Sequence, residues 1–178
     1  MEVICETERL RLRQWTDDDK APFARMNQDP DVMKFLGPIL SRSASDAAIK
    51  DQLSLMSANE PAFWAVERLG DGQFMGCIGV KRVNFQTAFT PTYEIGWRLA
   101  RAFWGQGYAS EGAQAALGIG FTRWGLSTIH SFTVPANKAS QTVMEKIGMK
   151  RVIGGDFRHP KLNEDDPLSE HVLYIWQA

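Results

Sequence analysis

Alternating polar and apolar residues predict a series of β-strands along this chain. The first is Arg9 to Arg13, where every second residue is apolar, as in a half-buried strand. A Gly70-Asp71-Gly72 turn separates the next two and predicts a hairpin. After the strand at 9–13, the strands predicted along the chain cover residues 63–69, 74–83, 93–99, 127–134, 149–153 and 172–176.

Helix signals fall between these strands. Thr16 followed by three aspartates predicts a helix start, because threonine caps and acids suit the positive helix end. The polar stretch 158–167 predicts a loop. Further helices are predicted over residues 45–57, 108–124 and 138–147. The resulting order, a meander of strands followed by β-α-β-α and terminal strands, indicates one α+β or mixed α/β domain.

Composition and charge narrow the classes of partner. The chain has 178 residues and a formal net charge of -1, so nothing favours a nucleic acid or an anionic membrane as partner. The acidic start, Met1 to Glu6, does not resemble a signal peptide, and no apolar run is long enough to cross a bilayer. These features predict a cytoplasmic protein, and they leave a homodimer open.

Cysteine and histidine spacing gives no support for a metal site. The two cysteines, Cys5 and Cys77, lie far apart and form no CxxC motif. The three histidines show no ligand spacing, so no metal is expected. Both thiols are predicted to be buried or inert.

The most informative segment is a glycine-bearing loop between a strand and a helix. Gly105 and Gly107 let the backbone turn sharply, and the helix after them presents free amides that attract phosphate. A simple tight turn explains such a pair equally well. A dinucleotide site is disfavoured because Ser110 stands where the third glycine of GxGxxG belongs, and a P-loop lysine is absent.

Three segments together resemble the GNAT superfamily of acetyltransferases, and within it the RimJ/RimL-like branch. Trp104 to Glu111 resembles the acyl-CoA pyrophosphate loop, Thr7 to Arg13 the opening strand, and Asn137 to Met149 the late helix and turn. The resemblance spans nearly the whole chain. It implies a single domain over 1–178, with a mostly antiparallel twisted sheet whose central strands splay apart between flanking helices.

The resemblance also implies acetyl-CoA as co-substrate and acetyl transfer to a primary amine in a ternary complex. The acceptor is a protein N-terminus, an amino acid, a polyamine or an aminoglycoside. A non-catalytic acyl-CoA sensor is the alternative, and a nucleotide-binding enzyme is a third hypothesis. The predicted cofactor-binding residues are Trp97, Leu99, Gly105, Gln106, Gly107, Tyr108, Ala109, Asn137 and Ser140.

Three residues are candidates for the chemistry. Glu94 lies in the strand nearest the expected thioester and is the candidate general base, unless it faces solvent or pairs with Arg98. Glu111 is a weaker candidate, better suited to the helix dipole. Ser140 is the candidate partner of the leaving thiolate, because Met144 stands where relatives carry a tyrosine.

The alternatives for the remaining residues are structural. Asn137 also suits a helix cap, with Ser140 as a first-turn residue. Trp64, Trp97 and Trp176 are predicted to be core residues, and core packing is favoured for Trp104 over a place in the cleft. The resemblance places the acceptor walls in residues 33–45 and 158–168, where the acidic run 164–166 either attracts a cationic amine or is solvated.

Overall fold

The computed structural model describes residues 2–178 as one nine-stranded sheet with helices on both faces. The helices are α1 (Lys20–Asn27), α2 (Pro30–Met33), α3 (Arg42–Ser57), α4 (Tyr108–Trp124) and α5 (Lys138–Lys146). Short 3-10 turns lie at Asp17–Asp19 and Arg101–Phe103. The strands are β1 (Val3–Glu6), β2 (Leu10–Arg13), β3 (Phe63–Arg68), β4 (Phe74–Arg82), β5 (Tyr93–Leu99), β6 (Thr128–Thr133), β7 (Lys150–Arg151), β8 (Phe157–Arg158) and β9 (Glu170–Gln177).

The sheet is antiparallel except at its centre. Its order is β1-β2-β3-β4-β5-β6-β9-β7, with β8 also pairing with β9. The one parallel pair, β5 with β6, is joined only at Glu94 and His130. By contrast, β4 and β5 stay paired from Gly76–Leu99 to Arg82–Tyr93. The two central strands therefore diverge beyond Glu94, which confirms the predicted splayed, mostly antiparallel sheet.

Each face of the sheet carries its own apolar core. On one face, Leu10, Ile78 and Leu117 are fully buried under α4 and α5. Gly112 allows α4 this close approach, because a Cβ there would lie 2.5 Å from Ile78 Cδ1. On the other face, helices α1 and α3 cover a smaller core that includes Phe23, Ile49 and Cys77.

Most predicted elements are confirmed, and 93–99 and 108–124 have the predicted bounds. The errors lie at chain ends and turns. The N-terminal strand β1 was not predicted, the strand expected over 149–153 is only β7, and β8 enters the predicted loop. The predicted helix start at Thr16 is confirmed, because Thr16 precedes a 3-10 turn over Asp17–Asp19 that leads directly into α1, and the Asp19 carboxylate accepts from the Thr16 amide at 2.8 Å.

The start of α3 corrects a second prediction. The helix begins three residues before the predicted Ser45, because the Ser41 side chain caps it by accepting from the Ala44 amide. Ser45 is instead fully buried and accepts a hydrogen bond from Asn27. Among residues 2–178, no helix combines the length and the apolar character needed to cross a membrane.

Candidate active site

The glycine loop leaves an unusual number of backbone amides without a partner. Gly105 and Gly107 have φ of 73° and 84°, a left-handed conformation that glycine adopts without strain. The first helical bond of α4 runs from the Glu111 amide to the Gly107 carbonyl, at 3.0 Å. Within residues 2–178 the six amides of 105–110 donate to no acceptor. Together with the dipole of the 17-residue α4, they form a place for an anion.

Residues of the segment Thr7 to Arg13 hold this loop in place. Arg9 lies over the Tyr108 ring at 4.4 Å, and its Nη1 donates to the Gln106 carbonyl at 3.0 Å. Glu111 accepts from the Arg9 guanidinium and the Thr7 hydroxyl. Thr7, Arg9 and the loop, which are a hundred residues apart in sequence, therefore form one unit.

These contacts assign Glu111 a structural place. Burial raises its pKa, but the hydrogen bonds from Thr7 and from the amide and guanidinium of Arg9 outweigh burial and hold the pKa below its ordinary value. An ionised carboxylate with these partners is a poor proton acceptor. Glu111 thus braces the loop in addition to lying in the first turn of α4, where an acid suits the dipole.

The divergence of β5 from β6 opens into a cavity of about 560 Å³. This is within the usual range of small-ligand sites, about 300–1,000 Å³. Ser131 closes the narrow end, where its hydroxyl donates to the Ile95 carbonyl at 3.0 Å. Of the residues predicted from sequence, four line this cavity: Glu94, Trp97, Asn137 and Ser140.

The other predicted cofactor residues lie on the loop side rather than in the cavity wall. Leu99 is buried, and its carbonyl accepts from the Trp104 indole at 2.8 Å. Tyr108 is buried against Phe103. The side chains of Leu99 and Tyr108 are therefore turned away from a ligand, while the Tyr108 amide has no partner. Gly105, Gln106, Gly107 and Ala109 offer their amides as described above.

Glu94 lies within the cavity and not at the surface. Its side chain is 18% exposed, and its nearest cation is Lys81, at 3.5 Å. Burial raises its pKa above the ordinary glutamate value, and the positive charges of Lys81 and Lys161 oppose that rise. The alternative of pairing with Arg98 is wrong, because Arg98 donates to Asn27 instead.

Asn137 and Ser140 form a small polar group on the opposite wall. Asn137 caps α5 by accepting from the Ser140 amide at 3.2 Å, as the structural alternative predicted. Its Nδ2 also donates to the hydroxyls of Ser140, at 3.0 Å, and Thr133, at 2.9 Å. Met144 lines the cavity beside them and has no proton to donate.

Both chain segments predicted to wall the acceptor side reach the cavity. From the first come residues 35–38, and from the second His159, Leu162 and residues 166–168. Within the acidic run only Asp166 lines the cavity, and its carboxylate accepts from the Leu168 amide. The Glu164 side chain is 92% exposed, so the solvated interpretation holds for it.

Several cavity residues were not predicted from sequence. Phe63, Cys77, Arg98, Phe132 and His171 come from strands and line the cavity alongside the predicted residues. Their sequence signal is only strand alternation, which assigns a face but no neighbour in a distant strand. A larger depression of about 650 Å³, between Trp15 and Lys50, contains no predicted residue and lies outside the cleft.

The tryptophan predictions have mixed outcomes. Trp64 is fully buried, and Trp97 and Trp176 pack against the core. Core packing of Trp104 is wrong, because this residue is 46% exposed beside the glycine loop.

The thiols are protonated at neutral pH. Burial raises the pKa of Cys77, while Arg98 and Lys81 oppose the rise, and burial together with Glu6 raises the pKa of Cys5. Among residues 2–178 no group of three or more histidine, cysteine or acidic side chains is arranged so that it could hold a metal ion.

Comparison with known proteins decides the family. A family model described as an acetyltransferase (GNAT) domain matches residues 9–150. The chain belongs to the GNAT acetyltransferase family. YkkB, an uncharacterized protein of Bacillus subtilis, is 34% identical over 80% of this chain and 83% of its own length. The FsC-acetyl coenzyme A-N(2)-transacetylase of Aspergillus fumigatus is 31% identical over 82% of this chain and 64% of its own.

Solved structures agree with this GNAT assignment. A GNAT-family acetyltransferase from Bacillus anthracis superimposes with a TM-score of 0.78, at 28% identity, over 99% of this chain and 98% of its own. The ribosomal-protein acetyltransferase RimL, solved with coenzyme A, gives 0.80 at 15% identity over 99% and 98%, which is a likeness of fold. The chain is therefore an acyl-CoA-dependent N-acetyltransferase by class, as the resemblance implied.

Proposed function

We propose that this protein transfers an acetyl group from acetyl-CoA to a primary amine by direct attack in a ternary complex, and that residues 1–178 act as one domain. One observation carries the proposal. The unpartnered amides of 105–110 lie at one end of the β5–β6 divergence, and a cavity containing a half-buried carboxylate lies at the other. A pyrophosphate and an amine then have separate places along one cleft.

The residues fit acyl-CoA. The amides of 105–110 suit a pyrophosphate, and nothing lies within 4 Å of the position that a Gly105 Cβ would take. The pantetheine arm would follow the open edge of β5 past Trp97 and Leu99 towards Asn137 and Ser140. Bound there, acetyl-CoA supplies the thioester that an amine attacks.

Glu94 takes the proton of the acceptor amine, directly or through a water. A base works best when its pKa lies near the operating pH, and burial moves the Glu94 pKa in that direction. Lys81 opposes the rise in pKa and gives the ionised carboxylate a counter-charge at 3.5 Å. The Glu94 carboxylate is therefore more basic than an exposed glutamate.

Ser140 hydrogen-bonds the leaving sulfur. Because Asn137 Nδ2 donates to Ser140 Oγ, the hydroxyl proton of Ser140 is left free to donate elsewhere. This arrangement gives the sulfur a hydrogen bond where Met144 offers none. The acid is weak, so the hydroxyl stabilises the thiolate rather than fully protonating it.

A turnover assay tests the proposed function. Acetyl-CoA is incubated with a panel of amino acids, short peptides, polyamines and aminoglycosides, and both CoA release and acetylated product are measured. We expect turnover with at least one class and intersecting initial-rate lines, as a ternary complex requires. Binding of acetyl-CoA without turnover of any amine would support the sensor alternative, and preferential binding of NAD or ATP would support a nucleotide enzyme.

A further inference from the structure

Arg98 faces the acceptor part of the cleft. Side chains alternate along a strand, so Glu94, Gly96 and Arg98 share one face of β5. Phe63 lies on that face, because a Cβ on Gly96 would be 3.1 Å from its ring. Cys77 stands opposite Arg98 in the β4–β5 ladder and also lines the cavity. The Arg98 side chain therefore extends along the same cavity wall as the candidate base.

Two helices hold Arg98 in a fixed position. Its Nη1 donates to Asn27 Oδ1 at 2.7 Å, and its guanidinium lies 6.0 Å from the centre of the Phe23 ring. Asn27 is fully buried, and its Nδ2 donates to the buried Ser45 hydroxyl at 3.1 Å. This second hydrogen bond fixes the orientation of the Asn27 amide, so α1 and α3 both determine where Arg98 points.

The charge of Arg98 has no counter-ion within residues 2–178. No carboxylate lies within 4.0 Å of it, and its Nε is buried without an acceptor. A guanidinium has five N–H donors, and only the one to Asn27 is used. Arg13, which is buried, shows the ordinary arrangement, because it pairs with both Asp19 and Glu67.

The surroundings do not compensate this charge. Lys81 adds a second positive charge near Cys77, and the Glu94 carboxylate is already paired with Lys81. Asp166 lies in the loop before β9, and its carboxylate accepts a hydrogen bond from the Leu168 amide. A half-buried cation with free donors is costly unless an anion meets it.

We propose that the amine acceptor carries a carboxylate and that Arg98 binds this carboxylate, so the substrate class is amino-carboxylic acids and not polyamines or aminoglycosides. The proposal rests on the acetyltransferase function proposed above. A planar guanidinium fixed by Asn27 matches a carboxylate through two parallel hydrogen bonds. Glu94 and Arg98 are four residues apart on β5, about 13 Å along the strand at about 3.3 Å per residue, so their side chains meet different groups of one molecule.

The test compares amino acids with their carboxamides. Amino acids whose carboxylate lies one to four carbons from the amine are assayed beside the matching amides, and kcat/KM is measured for each. We expect at least one amino acid to exceed its amide by about tenfold or more. Equal or better turnover of every amide would overturn the proposal and leave the acetyltransferase function standing. Acetyl-CoA binding without turnover of any amine would overturn the function itself.

Variants locate the preference at Arg98. Arg98→Gln should remove the preference for the carboxylate by lowering kcat/KM for the amino acid and not for its amide. Arg98→Lys should keep part of the preference, because the positive charge remains while the planar pair of N–H donors is lost. Arg42→Gln is the matched control, since Arg42 is exposed and pairs with Asp46 on α3. An unchanged preference in Arg98→Gln, with wild-type melting temperature and acetyl-CoA affinity, would overturn the assignment to this residue.

Discussion

The two ends of the central cleft are built in different ways. At the glycine-loop end, the groups that meet a ligand are backbone amides from one continuous segment, 105–110. At the cavity end they are side chains drawn from β5, α5, the segment after α2 and the loop before β9. The loop end depends on backbone conformation, and the cavity end depends on which side chains the fold brings together.

The contrast indicates which end is free to change. Backbone amides tolerate nearly any side chain so long as Gly105 and Gly107 keep their left-handed conformation. Cavity side chains carry the chemistry directly, so each substitution there changes the acceptor or the rate. This division suits enzymes that use the same cofactor with different acceptors.

The largest expected effect is at Glu94. Glu94→Gln keeps the shape and removes the base, so we expect kcat/KM to fall by about 100-fold or more. In the wild-type protein, activity should be lost as pH falls through the raised pKa of Glu94, because protonation removes the base. The pH profile of kcat/KM measures both effects.

The pH profile of the variant gives the control. The residual activity of Glu94→Gln should not fall at low pH as that of the wild-type protein does, while the variant binds acetyl-CoA as the wild-type protein does. A variant that retains the wild-type rate and pH profile would show that Glu94 is not the base.

The second effect concerns stability at the loop end. Glu111→Gln keeps one acceptor oxygen, but it removes the negative charge and replaces the second oxygen with an amide NH2 that cannot accept from Arg9 or Thr7, so we expect a loss of about 2 kcal/mol in the free energy of unfolding. Because the folded pKa of Glu111 is lowered, this contribution is present above the unfolded pKa and is lost as pH falls through the folded value. Urea unfolding at several pH values measures it, and an equal loss at low and neutral pH would contradict the account.

The third effect separates the two ends directly. Gly107→Ala places a side chain at φ 84°, which costs about 1–2 kcal/mol. We expect acetyl-CoA affinity to fall about tenfold while the acceptor preference is unchanged. Gly118→Ala, in the middle of α4 with open space around it, is the matched control and should bind normally. Calorimetry decides between these outcomes.

The smallest effect is expected at Ser140. Ser140→Ala removes a hydroxyl that hydrogen-bonds the leaving sulfur, and we expect kcat to fall about fivefold. Thr142→Ala, on an exposed turn of α5, removes a hydroxyl that bonds only the Lys138 carbonyl and serves as control. An unchanged kcat in Ser140→Ala, with a normal melting temperature, would leave Ser140 with only its hydrogen bond to Asn137.

The same division explains what could be predicted from the sequence. The bounds of β5 and α4 and the glycine loop were predicted, because their signals are local: alternation, left-handed glycines and a helix start. Arg98 escaped prediction because its importance arises from α1 and α3, which hold Asn27 and Ser45 in place. Glu94 was placed correctly on its strand, but its partner is Lys81 from β4, and pairing between strands cannot be derived from one strand's pattern.

Trp104 shows the same limit. Its apolar ring predicts burial, yet the turn after β5 directs the ring outward, and the indole bonds the Leu99 carbonyl. The ionic network of Thr7, Arg9 and Glu111 joins segments a hundred residues apart, and none of the three predicts it alone.

The most direct test of the account is an amide ¹H–¹⁵N titration of the protein with coenzyme A. We expect the largest chemical-shift changes at the amides of 105–110, smaller changes along β5 and near Asn137, and little change at residues 158–168. Shift changes concentrated in the late loop, with 105–110 unaffected, would contradict the claim that the backbone amides of the glycine loop hold the cofactor.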